Sequence, residues 1–404
     1  MKDADTIVLP RLASTEVDVE DPWGEDHAIV TQATTDTGRW RVTAWLVPAL
    51  LTVALCLLRA GVATPPGGGT PGLAGSPLLR LWAEVLGASG PAIRVVSTVA
   101  VTAAAALVGF LAARLFTPRV GLLAGVIFAL LPTSTRYAQE IQPYALTVFA
   151  AVLATLLLVR AVDRPTVGRF AGYGAAVLLL GLSHGLALLL LAGHGWSMFV
   201  FRRGVVGRWS AVAILGALPA AVALGLPSGV VGGGIARGSE PTLDVLAATP
   251  RNLFGVTALG VVLAGLALFS LPLRRSAALY TAWAVVPPLG LLLVAQATPV
   301  WMPEVLLFTL PAWATLGAVA LARVRARWCA VALVAIAVLG APAQLARSTP
   351  GGASGRPAIS RGSFTCGRDP PTVRRHARRT PPVAEESAAH GRLRNQPALS
   401  KLSE

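Results

Sequence analysis

The sequence predicts an all-α, polytopic transmembrane helical bundle of about eleven spans, and three observations predict it. Of 404 residues, 54% are hydrophobic and only 13% charged, with a mean hydropathy of +0.65; in a soluble domain about a quarter would be charged. The apolar residues are gathered into runs that approach the ~20 residues needed to cross a bilayer as a helix. The arginines of the body fall in the short loops between those runs, the pattern that orients membrane proteins. A formal net charge of +15 could suggest nucleic acid, but that placement of the basic residues argues for a membrane and against a nucleic-acid partner.

Residues 1–43 are polar, with nine acids against Lys2, Arg11, Arg39 and Arg41, and they lack the apolar core of a cleavable signal peptide. They read as a disordered cytoplasmic tail. Trp45 to Val62 has no charge before Arg59 and is the first span. The Gly/Pro stretch from Ala63 to Pro77 cannot be helical. After it, residues 78–87 place Leu78, Leu81, Trp82 and Val85 mostly on one side and Arg80 and Glu84 on another, which suits a helix in the membrane surface. Further apolar runs cover residues 95–115, 121–131, 145–159, 170–182, 185–201, 211–226, 253–273, 277–294, 306–321 and 328–345. Residues 44–345 therefore form the transmembrane domain. Residues 346–404, with eleven basic residues, four acids and abundant Pro, Gly and Ser, form a disordered basic tail. That tail is either a surface-binding arm or a segment without selected structure.

Alternate loops hold Arg114 and Arg119; Arg160, Arg164 and Arg169; Arg202, Arg203 and Arg208; Arg274 and Arg275; and Arg323, Arg325 and Arg327. The opposite loops hold far fewer, which places the amino terminus in the cytoplasm. The polar island Thr133 to Tyr144, the Gly/Pro loop and the loops at 227–251 and 297–304 then share the outer face.

Chemistry has few residues to draw on. Between residues 44 and 346 the acids are Glu84, Glu140, Asp163, Glu240, Asp244 and Glu304. Asp163 falls on the cytoplasmic side, so an outer-face general base would come from the other five. Glu140 lies four residues after Arg136, where the two pair on one face of a helical turn; an ion pair that merely braces the loop is the plainer reading. Glu240 and Asp244 fall in a Gly-rich loop, and Glu304 at the start of a span, where it meets the positive end of the helix dipole. His184 is expected at the outer end of its run, as a polar cap or in reach of a phosphate or hydroxyl. Cys56, Cys329 and Cys366 lack metal-ligand spacing, and no zinc motif, phosphate-binding P-loop or nucleophile elbow is present.

The run RYAQEIQPYAL, residues 136–146, resembles the RYxQExRPYAL signature of bacterial GT-C-type membrane glycosyltransferases. That group includes the dolichyl-phosphate-mannose protein mannosyltransferases and the lipid A aminoarabinose transferase. PLLRLWAEVLGASGPAIRVVS, ARLFTPRVGLLAGVIFALLP, SHGLALLLLAGH and PVWMPEVLLFTLPAW resemble further segments of the family in the same order, over roughly residues 44–345. The resemblance implies a GT-C-like bundle in a bacterial cytoplasmic membrane. It implies transfer of a sugar from a polyprenyl-phosphate carrier to an acceptor outside that membrane, with membrane lipid as a further partner. The requirement for a divalent metal stays open. It assigns Arg136 to phosphate or to bracing, Glu140 to positioning, and Tyr137 and Tyr144 to the groove for lipid or sugar, with Gln139, Gln142 and His184 beside them.

Three departures from the family pattern predict an impaired or repurposed enzyme. The first outer loop is short and carries neither the acidic pair nor the His-Pro-Pro stretch of relatives. Glu304 follows Pro303 where relatives have arginine, and Gln142 stands where they often have arginine. An active form would recruit Glu140, Glu240, Asp244 or Glu304 as base. The alternative is a non-catalytic membrane protein that binds a lipid-linked sugar or a partner transferase; a transporter is disfavoured by the scarcity of charge within the spans.

Overall fold

The computed structural model describes residues 37–60, 84, 90–139, 143–225, 240–270, 275–297 and 300–345. The expectations for residues 1–36 of the amino-terminal tail, the carboxyl-terminal tail, the Gly/Pro loop, most of the surface helix at 78–87, and Glu140 and Gln142 lie outside the described residues, while residues 37–43, read as part of the tail, belong to a helix that continues into the first span. Within residues 78–87 only Glu84 is described, and it is helical and exposed.

The described residues are predominantly helical. In chain order the α-helices are α1 (Thr37–Ala60), α2 (Gly90–Leu115), α3 (Pro118–Leu130), α4 (Pro132–Tyr137), α5 (Tyr144–Asp163), α6 (Val167–Ser183), α7 (Leu190–Phe201), α8 (Val206–Gly225), α9 (Leu243–Phe254), α10 (Thr257–Phe269), α11 (Arg275–Ala297), α12 (Leu310–Ala322) and α13 (Ala326–Leu345). Short 3-10 segments at Gly185–Leu189 and Pro303–Thr309 lead into α7 and α12.

All eleven apolar runs are helical for most of their length, but they do not all qualify as spans. Among the described residues seven helices are long and apolar enough to cross a membrane, or eight if α9 and α10 count as one bent span. Pro118–Leu130, Val167–Ser183 and Gly185–Phe201 are shorter apolar helices. Of the run 253–273, α10 carries residues 257–269, and the helix before it, α9, meets α10 at 84°. Gly255 makes the corner: its φ is +84°, and a β-carbon there would stand 2.9 Å from Cβ of Pro132, so backbone conformation and space both call for glycine. The loop expected around Asp244 is likewise helical, since the Thr242 side chain accepts from the amide of Val245 and starts α9 with Asp244 in its first turn.

The centre of the bundle is α5 together with α12 and the segment before it; 72% and 89% of their span windows are buried, against 22% for α1 and 17% for α8 and α13. Helix α12 packs on α3, α10 and α11, while α5 packs on α2 and α6. Non-helical backbone inside an apolar bundle needs other partners. The 3-10 segment before α12 finds them: Trp283 donates Nε1–H to the carbonyl of Phe308 at 3.0 Å, and Thr309 donates to that of Leu306 at 2.7 Å.

The two ends of the bundle differ in charge. At one end Arg114 pairs with Asp163, Arg119 donates to the carbonyl of Val324, Arg169 to that of Arg160, and Arg323 to those of Phe269 and Ser270. These guanidinium groups lie at helix C-termini, where cations are favoured. At the other end Arg59 donates to the carbonyls of Ala343 and Gln344, joining the last turn of α1 to the last turn of α13.

Candidate functional site

The candidate site lies at this second end, where α3 stops and α5 begins. Leu131 leaves the helix with ψ of 126°, and Pro132 starts the short α4, a position where the missing amide costs nothing. The break frees carbonyls of the last turn of α3. Gln344 of α13 donates to that of Leu130 at 3.3 Å and accepts from the hydroxyl of Thr135. Gln139 donates Nε2–H to the carbonyl of Cys56 in α1 at 2.7 Å, and Thr98 of α2 donates to that of Ala138. The island is thus held on three sides by backbone contacts.

On this frame four side chains form a continuous string. The Arg136 guanidinium lies 5.6 Å from the centre of the Tyr137 ring, within the range of a cation–π contact. Tyr137 meets Tyr144 edge to face at 5.3 Å and 81°, and Tyr144 stacks on His184 at 5.9 Å and 27°, both favoured aromatic arrangements. Arg136 is exposed, Tyr137 buried, and Tyr144 and His184 half-buried. His184 occupies the residue between α6 and the 3-10 segment, yet its side chain makes no capping hydrogen bond. Its Nδ1 is buried without a hydrogen-bond partner among the described residues.

Beneath the tyrosines is a cavity of about 10 Å³ lined by Val101, Phe128, Thr133, Ser134, Tyr144 and Leu307. It has room for a single water molecule. The hydroxyls of Thr133 and Ser134 are buried with no partner among the described residues.

The structure brings together Arg136, Tyr137, Tyr144 and His184. Gln139 sits beside them, but its amide donor is directed at α1. The carboxylates separate. Glu240 and Asp244 are exposed at the start of α9. Glu304 is half-buried on the 3-10 segment Pro303–Thr309, which packs against α5, α9 and the 3-10 segment after His184. Glu304 forms no ion pair among the described residues. Sequence reasoning did not reach Thr135 and Gln344, which brace the island from 209 residues apart; the one signal was a lone amide at the end of an apolar run.

Residues 72–224 match the family model described as dolichyl-phosphate-mannose-protein mannosyltransferase. None of the curated proteins matches the chain. Among solved structures the fold is similar to that of ArnT from Cupriavidus metallidurans bound to undecaprenyl phosphate, with a TM-score of 0.56 and 13% sequence identity. The chain has a GT-C-type fold. The likeness covers 74% of this chain and 64% of ArnT, so the chain spans less than two thirds of that protein's length. All four members of the Arg136–His184 string fall inside the segment that matches the mannosyltransferase model, whereas Glu240, Asp244 and Glu304 fall beyond it. The match to the mannosyltransferase model thus takes in the half of the site that holds cation and aromatic rings.

Proposed function

We propose that this chain is a membrane glycosyltransferase, or a protein derived from one, that takes a polyprenyl-phosphate-linked sugar at the end of the bundle formed by α4, the first turns of α5 and the 3-10 segments. The observation that carries the reading is the contiguous string Arg136, Tyr137, Tyr144 and His184, lying within the mannosyltransferase match. An exposed guanidinium stabilises charge developing on a departing phosphate. Tyr137 and Tyr144 offer ring faces and edges to sugar or prenyl chain, and the half-buried His184 ring stacks behind Tyr144. That ArnT was solved with undecaprenyl phosphate supports the choice of carrier. The arginine-rich end would face the cytoplasm and the site the outside.

Competence for transfer turns on the base. Glu304 is half-buried on the 3-10 segment that packs against α5 and the segment after His184, and we assign it that role in any residual transfer. Glu240 and Asp244 face solvent at the start of α9. With no acid in the short first loop, and a carboxylate at Glu304 where relatives bind phosphate, transfer should be slow.

The test is to reconstitute the full chain in vesicles with a radiolabelled polyprenyl-phosphate hexose, following bound lipid, released polyprenyl phosphate and label on acceptors. The expected result is retention of the lipid that falls in Arg136→Gln, with slow release that stops in Glu304→Gln. Retention without release in the wild type would favour the second reading, a non-catalytic binder of lipid-linked sugar. No retention at all, or equal retention by Arg136→Gln, would sink both.

A further inference from the structure

At the arginine-rich end, opposite the candidate site, α6 and α8 enclose a groove of about 730 Å³, within the usual range of ligand pockets. Its walls are Phe170, Ala171, Ala175, Leu178 and Leu215, and Arg208 stands among the lining residues. The floor is the contact between the two helices. A β-carbon at Gly174 would come within 2.8 Å of Val212, and one at Gly216 within 2.6 Å of the Gly174 carbonyl. The groove is therefore an open wedge that is apolar along its length.

We propose that this groove binds one anionic phospholipid, its phosphate against Arg208 and Arg164 and one acyl chain along the wedge. Charge complementarity selects this occupant. Arg114, Arg119, Arg169 and Arg323 each bond a carboxylate or a carbonyl. Arg208, and Arg164 just before the lining residue Pro165, are exposed and make no hydrogen bond or ion pair among the described residues. Helices α6 and α8 both begin at this end, so their positive dipole ends add to the field of the two guanidinium groups. Asp163 is the nearby acid, and it is paired with Arg114. A zwitterionic lipid would bring its own cation to the same arginines. Helix α6 runs from the groove's mouth at Thr166 to His184 at the candidate site, so the lipid belongs to the leaflet opposite the sugar-lipid.

The test compares phosphatidylglycerol with phosphatidylcholine of identical acyl chains, added to the full-length delipidated protein and counted by native mass spectrometry. Wild type should retain a single phosphatidylglycerol in preference by about tenfold, since each surface arginine adds a favourable increment for an anionic lipid. Arg164→Gln/Arg208→Gln should bring the two lipids level, and Ala175→Phe, which fills the wedge, should lower retention of both. sn-Glycerol 3-phosphate, which has the headgroup charge and no acyl chain, should not displace the lipid. Equal retention of the two lipids by wild type, a preference that survives in the double arginine variant, or displacement by glycerol phosphate would each overturn the proposal. Monodisperse elution of every variant verifies that the bundle has formed.

Discussion

Tyr173 donates its phenolic proton to Nδ1 of His194 across 3.2 Å in the interior of the bundle. The direction follows from counting protons. Thr155 spends its one hydroxyl proton on the carbonyl of Ala151, so at 3.1 Å it must accept from Nε2–H of His194. Nδ1 is then an acceptor, and Tyr173, which already accepts from Nε1–H of Trp209 at 3.0 Å, supplies the proton. One directed chain thus runs Trp209, Tyr173, His194, Thr155 and joins α8, α6, α7 and α5, with every donor matched to an acceptor. Buried polar groups are tolerated on those terms.

Breaking that chain in the middle should cost stability. Tyr173→Phe leaves Nδ1 of His194 and the indole N–H of Trp209 without partners, at about 1–3 kcal/mol for each buried group left unpaired. A lowered thermal unfolding midpoint in detergent is the expected readout. Adding His194→Phe should cost less than the sum of the two single changes, because the groups act as one network. Additive losses would show that the chain is not coupled.

The corner at Gly255 should be as sensitive for a different reason. Gly255→Ala forces a β-carbon into the left-handed region and against Pro132, at a cost on the order of 1–3 kcal/mol. Because Pro132 opens α4, faster amide hydrogen exchange should appear in α4 as well as at the corner. Gly172→Ala is the control: it lies within α6 with nothing within 4 Å of the added carbon and should be neutral or raise stability by up to ~1 kcal/mol.

The fold class was legible in the sequence because apolar runs of this length in a bilayer have one way to satisfy their backbone, as helices. What pattern alone did not convey was where a run bends, since a glycine at positive φ and a glycine at an ordinary contact are the same letter. That is why the corner at Gly255, between α9 and α10, did not show. Around Asp244 the signal was present in Thr242, a capping residue ahead of Leu243, Val245 and Leu246, but the glycines before it weighed more. In the candidate site, Arg136, Tyr137 and Tyr144 stood out as polar residues between apolar runs. The stack that joins His184 to Tyr144 depends on packing between α5 and α6, and forty residues of separation hide it. Gln139 looked like a ligand group for the same reason that it is a brace: it is an amide at a helix end, and sequence does not say which carbonyl it will meet.

Tyr144 links the exposed cation to the histidine, so its ring and its hydroxyl can be separated. Tyr144→Phe keeps both ring contacts and should retain the radiolabelled polyprenyl-phosphate hexose as wild type does. Tyr144→Ala removes the contacts to Tyr137 and His184, each worth about 0.5–1.5 kcal/mol, and should weaken retention by roughly tenfold or more through a misplaced Tyr137 and Arg136. A Phe variant as weak as the Ala variant would move the recognition from the ring to the hydroxyl.

Gln344 and Thr135 make the last prediction, because their shared bond is asymmetric. Gln344→Leu strips the Leu130 carbonyl of its partner at the break between α3 and α4, while the Thr135 proton still has the carbonyl of Pro132 at 3.2 Å. Thr135→Val removes the bonds to Gln344 and to the carbonyl of Pro132 and leaves the amide on Leu130. The glutamine change should therefore destabilise by about 1–3 kcal/mol, the cost of one buried acceptor left unmet, and the threonine change by ~1 kcal/mol or less. Thermal unfolding of the two single variants and the double variant measures this. The double variant should cost less than the sum of the two single changes, since the bond between Thr135 and Gln344 is lost in each of them. If Thr135→Val is the more damaging change, the amide of Gln344 is not what holds the broken end of α3.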